Sequence, residues 1–178
     1  QMGSTGRLLV GAMLDTPINQ VIPWAVTDAN NLVGYTAASA DGSTGGFGTF
    51  GSVGYANYDG TTFGPSQATQ NLKFNATAVT VPNLGGGTYA ANAIVHVRSA
   101  GGQDISFANP GDRLNLTAGL MMLGGPNNFT VNIGSLANSG FLTAGGTQAL
   151  GTANLYFYSN GGTVGINAVL ADNGYGAS

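Results

Sequence analysis

The sequence predicts an all-β chain, an antiparallel β-sandwich or jelly roll of roughly nine to ten strands with almost no helix. Three observations lead there. The strong helix formers are missing, with no Glu and a single Lys, while 31 glycines interrupt nearly every window. Apolar residues recur with period two rather than 3.6. Turn pairs such as Asp41-Gly42, Asp59-Gly60, Gly101-Gly102 and Asn160-Gly161 separate the alternating segments.

Taken in order, the first candidate strand is 7–14, apolar and preceded by the small residues Gly3-Ser4-Thr5-Gly6. Segments 20–27, 31–36 and a broken stretch from 47 to 58 follow. Leu72, Phe74, Ala76 and Ala78 alternate, and Val79 and Val81 then continue out of phase, as a β-bulge near Ala78 would make them. Tyr89, Ala91, Ala93, Val95 and Val97 mark one face of the next strand, with Ile94, His96 and Arg98 on the other. Leu114, Leu116, Ala118, Leu120 and Met122 alternate within 113–123. Phe129, Val131 and Ile133, then Leu155-Tyr156-Phe157-Tyr158, then Val164, Ile166, Ala168 and Leu170 complete the series. A β-solenoid would also fill its turns with Gly, Asn and Thr, but solenoids announce themselves by a fixed repeat, and no such period runs along this chain. The sandwich is therefore expected, as one domain over 15–178 with an N-terminal arm at 1–14.

Composition narrows the function. Only 11 of 178 residues are charged, against about a quarter in ordinary soluble domains. Such a surface repels its neighbours weakly and costs little to desolvate against another copy. Four basic residues form no cluster, which argues against nucleic acid as a partner. No apolar run is long enough for a spanning helix, and membrane insertion is not expected. Cysteine is absent, so no disulfide staples the fold. A start at Gln1-Met2-Gly3 reads as a processed N-terminus, and three N-x-S/T sequences mark Asn75, Asn115 and Asn128 as candidate glycan acceptors in a secreted or cell-surface chain.

Residues for catalysis are scarce. His96 is the lone histidine, mid-strand beside Arg98, and reads as a solvent-facing or interface side chain. Leu14-Asp15-Thr16 is followed by Pro17 where an aspartic-protease loop needs glycine. The seven Asp lie mostly in turns, so no carboxylate pair is indicated, and neither catalytic residues nor a cofactor are expected. Asp28, Asp41 and Asp172 are weak candidates for a loop calcium site, without a complete calcium-loop pattern. The aromatics Phe47, Phe50, Tyr55, Tyr58 and Phe63 read as core filling around glycine kinks.

The expected function is a non-enzymatic structural subunit of an extracellular assembly, a pilus-like or surface filament whose partners are copies of itself. Its subunits would join by β-strand addition through Arg7, Leu8, Leu9, Val10, Ala12, Met13 and Leu14. A viral jelly-roll capsid, spike or tail protein on a virion, and a carbohydrate- or surface-binding module, are the alternatives.

Overall fold

The fold is that of a computed structural model describing residues 19, 21–26, 31–36, 46–52, 56–75, 77–125, 129–146, 153–160 and 162–172. Thirteen strands and no helix occur among them. The expectation of an all-strand chain holds, but the direction of pairing overturns the antiparallel sandwich. Only β1 (Val21–Val26), β2 (Leu32–Thr36) and β3 (Gly46–Thr49) pair antiparallel, in that order. Every later pairing is parallel. β4 (Asn71–Asn75), β6 (Thr88–Val97), β8 (Arg113–Gly124), β10 (Phe141–Ala144) and β13 (Val169–Leu170) are successive neighbours, and β11 (Tyr156–Ser159) also pairs with β8. β5 (Val79–Val81), β7 (Ile105–Phe107), β9 (Thr130–Ile133) and β12 (Thr163–Ile166) form a second parallel sheet.

Parallel neighbours need a crossover, and in α/β sheets a helix supplies it. Here each crossover is itself a strand of another sheet. The chain runs β4, β5, first half of β6; then second half of β6, β7, first half of β8; then second half of β8, β9, β10; then β11, β12, β13. That is a β-solenoid of four stacked coils with three faces, about 4.8 Å between coils.

The registers make the stacking explicit. Leu72, Ile94, Met121 and Phe157 are aligned rungs of one face. Val79, Ile105, Ile133 and Ile166 align on the second, and Tyr89, Leu114, Leu142 and Leu170 on the third. Rungs of the first ladder lie 22, 27 and 36 residues apart (72 to 94, 94 to 121, 121 to 157). The turns between strands differ in length, which is why no fixed period exists to be found in the sequence. All but the last rung of each ladder belong to one buried apolar core, together with Phe74, Val81, Phe107, Leu116, Leu123 and Val131. Burying a side chain of this size contributes about 1.5–3 kcal/mol.

The phase changes in the sequence are corners, not bulges in flat strands. Between Phe74 and Val79 the chain turns from the first sheet into the second. Within β6 the register shifts between Ala91 and Ala93, so Tyr89 and Ala91 point inward before the bend and Ile94 and His96 after it. Ala93 and Val95, now outward, are covered by β1–β3: Val21, Leu32 and Phe50 pack with Ala93, Val95, Ala118, Leu120 and Met122 in a second apolar cluster. Tyr58 and Lys73 tie the layers. The Tyr58 hydroxyl accepts from the Leu32 N–H (2.8 Å), and Lys73 Nζ donates to Asn31 Oδ1 (2.7 Å) while lying 5.3 Å from the centre of the Tyr58 ring.

The corners use buried amides and a carboxylate. Asn92 Nδ2 donates to Asn71 Oδ1 (2.7 Å), and Asn19 Nδ2 donates to Asn92 Oδ1 (2.9 Å). Asp112 joins two coils: Oδ1 accepts from the N–H groups of Leu84 (3.3 Å) and Gly86 (2.9 Å), and Oδ2 from the N–H and side-chain amide of Asn109 (3.0 and 3.1 Å). Burial alone would raise the Asp112 pKa, but these donors outweigh it and hold the carboxyl below its ordinary value.

Two tests follow for the fold. Gly119 bends β8 at φ 68°, and a Cβ there would overlap the Asn154 carbonyl. Gly119→Ala is therefore expected to cost more than about 2 kcal/mol in the urea midpoint, from backbone strain and the enforced displacement together. Asp112 has a folded-state pKa below the unfolded value near 4, so its contribution is complete above that pH and is lost as pH falls through the folded pKa. Asp112→Asn is expected to lower stability by about 1–3 kcal/mol at pH 7 and to flatten the loss of stability below pH 4, read as melting temperature against pH.

Candidate functional site

The two ends of the stack differ. At the first coil a loop closes the core. Phe63 packs on Phe74 (ring centres 4.8 Å apart) and edge-on to Tyr89 (4.9 Å). The same loop satisfies the free edges of β4 and β6: Gln67 N–H donates to the Ala90 carbonyl, Asn92 N–H to the Gln70 carbonyl, Lys73 N–H to the Gly60 carbonyl, and Ala90 N–H to Ser66 Oγ. The inward rungs Leu72, Val79 and Tyr89 are only 1%, 8% and 1% exposed.

At the last coil the corresponding rungs Phe157, Ile166 and Leu170 are 37%, 39% and 54% exposed. Among the described residues nothing pairs with the outer edges of β11, β12 and β13. Their sequences, YFYS, TVGI and VL, contain no charge and no proline. Natural edge strands are normally protected by such residues or by a covering segment. Among the described residues this is an uncovered triangle of apolar ladder positions rimmed by strand edges.

Beside it runs an aromatic groove of about 350 Å³ lined by Pro23, Trp24, Val26, Leu120 and residues 155–158. Trp24 is half exposed and edge-on to Phe47 at 6.3 Å. Phe157 belongs to both the groove and the open end, making them one continuous apolar surface.

A polar cleft of about 520 Å³ lies on the other side, lined by Asn19, Ala56, Asn57, Tyr58, Asp59, Thr69 and Asn71. Asp59 is the one carboxylate among the described residues lining it, and Oδ2 is held by the Asn71 N–H at 2.7 Å.

His96 corrects the sequence expectation. It faces the core, fully buried and edge-on to Phe74 at 6.1 Å, with no hydrogen-bond partner at either ring nitrogen. Arg98 is buried as well. Burial, reinforced by the Arg98 charge and partly opposed by Asp104, lowers the His96 pKa to about 4. The ring is neutral at pH 7 and walled away from solvent.

The other sequence candidates scatter. Residues 7–14, Asp28, Asp41, Tyr55 and Asn128 lie outside the described residues. Asp172 is exposed, and among the described residues no three His, Cys, Asp or Glu side chains converge. Asn75 is exposed at the end of β4. Asn115 is buried, with Oδ1 accepting from the Gly146 N–H (2.9 Å), so a glycan does not fit there in the folded chain. No described helix is long and apolar enough to cross a membrane. Sequence reasoning missed the open end because it exists only once β11, β12 and β13 form the last coil; alternation at Val164, Ile166 and Leu170 was visible, their exposure was not.

The chain matches no protein-family model, no curated protein and no solved structure.

His96 makes stability pH-dependent in a window separate from that of Asp112. Its folded pKa near 4 lies below the unfolded value near 6.5, so the unfolded state takes the proton first and stability falls as pH drops from 6.5 to 4. His96→Leu is expected to abolish this component, on the order of a few kcal/mol, in urea midpoints measured across pH 7 to 4.

Proposed function

We propose that this protein is a non-enzymatic structural subunit of an extracellular assembly, joined to its neighbour by strand addition. One observation carries the reading: the ladders that stay buried through three coils end in exposed Phe157, Ile166 and Leu170 on unprotected edges. Such a surface gains from pairing what each internal coil gains from the next, namely backbone hydrogen bonds and apolar burial. The neutral composition supports it, because two such surfaces approach with little charge to desolvate. The enclosure of His96, the chain's one histidine, in the core accords with a role without catalysis. An extracellular setting accords with exposed Asn75 in its N-x-T sequence.

A binding-module reading has one observation of its own, the half-exposed Trp24 beside Tyr156 and Tyr158. Trp24 is the only tryptophan, so its fluorescence reports the groove directly.

Sedimentation velocity separates the two readings. The wild-type chain is expected to associate reversibly with rising concentration, and Phe157→Asp with Leu170→Asp to remain monomeric with an unchanged far-ultraviolet circular dichroism spectrum. A wild-type chain that stays monomeric at high concentration while oligosaccharide shifts the Trp24 emission would replace assembly with the binding module.

A further inference from the structure

Granting that the open end is the joining surface, we infer that its occupant is the same end of a second copy, giving a closed two-fold dimer rather than a head-to-tail stack.

A surface that completes the last coil must supply strand edges and an apolar centre at the spacing of a coil. Two described regions of the chain come into question: the first coil and the last. The first is closed, with Phe63 filling the position above Phe74 and Tyr89, and with 60–70 occupying the edges of β4 and β6. Its edge strand β4 also carries the chain's single lysine, Lys73, already engaged with Asn31 and Tyr58. Head-to-tail stacking would require expelling Phe63 from the core and breaking these hydrogen bonds. The last coil requires no such rearrangement. Phe157, Ile166 and Leu170 form an apolar triangle that is complementary to itself, and β11, β12 and β13 bring no charge to repel its copy. A two-fold axis across this end sets the edge strands antiparallel, a pairing that strand edges accept readily. It also brings the groove face of Phe157 toward the partner, extending the buried surface to Trp24 and Val26. An interface of this kind is isologous and closes after two copies.

The natural absence of cysteine allows single labels to be placed without background. Thr163 is exposed at the start of β12 in the last coil, and Thr62 is exposed in the plug at the other end. Spin-labelled Thr163→Cys and Thr62→Cys, each in the full chain, are measured by pulsed electron resonance. End-to-end dimers place the Thr163 labels below about 30 Å apart, within one coil's width, and the Thr62 labels about 40 Å apart or more, beyond two stacks of four coils. In a mixture of the two variants, unlike labels lie about one stack of four coils apart, on the order of 20 Å along the axis. Sedimentation then shows a dimer and nothing larger from this joint, and Phe157→Asp with Leu170→Asp abolishes it.

Thr62 labels only about one stack apart, roughly 20–25 Å, with a growing series of species would overturn the two-fold dimer while leaving assembly through the open end in place. A dimer that persists unchanged in the double Asp variant would overturn both, as would a wild-type chain monomeric throughout. Single Phe157→Asp and Leu170→Asp variants, read by circular dichroism and by the same distances, separate loss of the joint from loss of the fold.

Discussion

Everything in this molecule rests on coil-on-coil stacking. Each inward rung touches the rung of the coils before and after it, so the core is a column rather than a layer between two sheets. Leu72, Ile94 and Met121 illustrate it: none is buried by its own coil alone, and each is buried by its neighbours along the stack. In repeat architectures of this kind, stability is a sum of units and of the interfaces between consecutive units. A column has two ends, and what the ends do follows from what the middle requires.

This chain resolves its ends differently. At one, Phe63 and the loop around it imitate a further coil, giving the core an aromatic ring and the strand edges their hydrogen bonds. At the other, the ladders stop with their apolar residues in view. The outer faces are also treated unequally: Ala93, Val95, Leu120 and Met122 lie beneath β1–β3, whereas on the second face Thr80 and Ser106 share a hydrogen bond of 2.8 Å in an exposed position. The apolar surface left over is thereby concentrated around Phe157 and the Trp24 groove.

The scarcity of charge has a matching structural sense. Charged groups among the described residues are drawn into specific work: Asp112 and Asp104 accept backbone N–H groups of neighbouring coils, Lys73 ties the antiparallel layer to the first coil, and Arg113 stacks on Phe141 at 5.4 Å. Little is left to keep strand edges apart. In most proteins that would be a hazard, and it applies most strongly to the last coil, whose edges have no charge and no partner strand among the described residues.

The amino-acid sequence by itself determined that the chain is made of strands, where most of them lie, and that the surface is nearly neutral. Alternation at 72–74, 89–97, 114–122 and 164–170 and the Gly- and Asn-rich turns are local properties that mark strands and turns, but the faces read for 89–97 and 114–122 are each split between two clusters by a bend within the strand. It did not determine parallel against antiparallel pairing, because the period of two is the same in both. The phase slip near Ala78 looks alike whether a strand bulges or the chain turns a corner into another sheet, and turns of unequal length conceal the repeat of a solenoid. His96 is likewise assigned to the wrong side by parity alone, because the bend at Asn92 reverses which residues face inward. Only the tertiary structure decided these points, and with them the exposure of Phe157, Ile166 and Leu170, which depends on what the stack places beside the last described coil and not on any residue's neighbours in sequence.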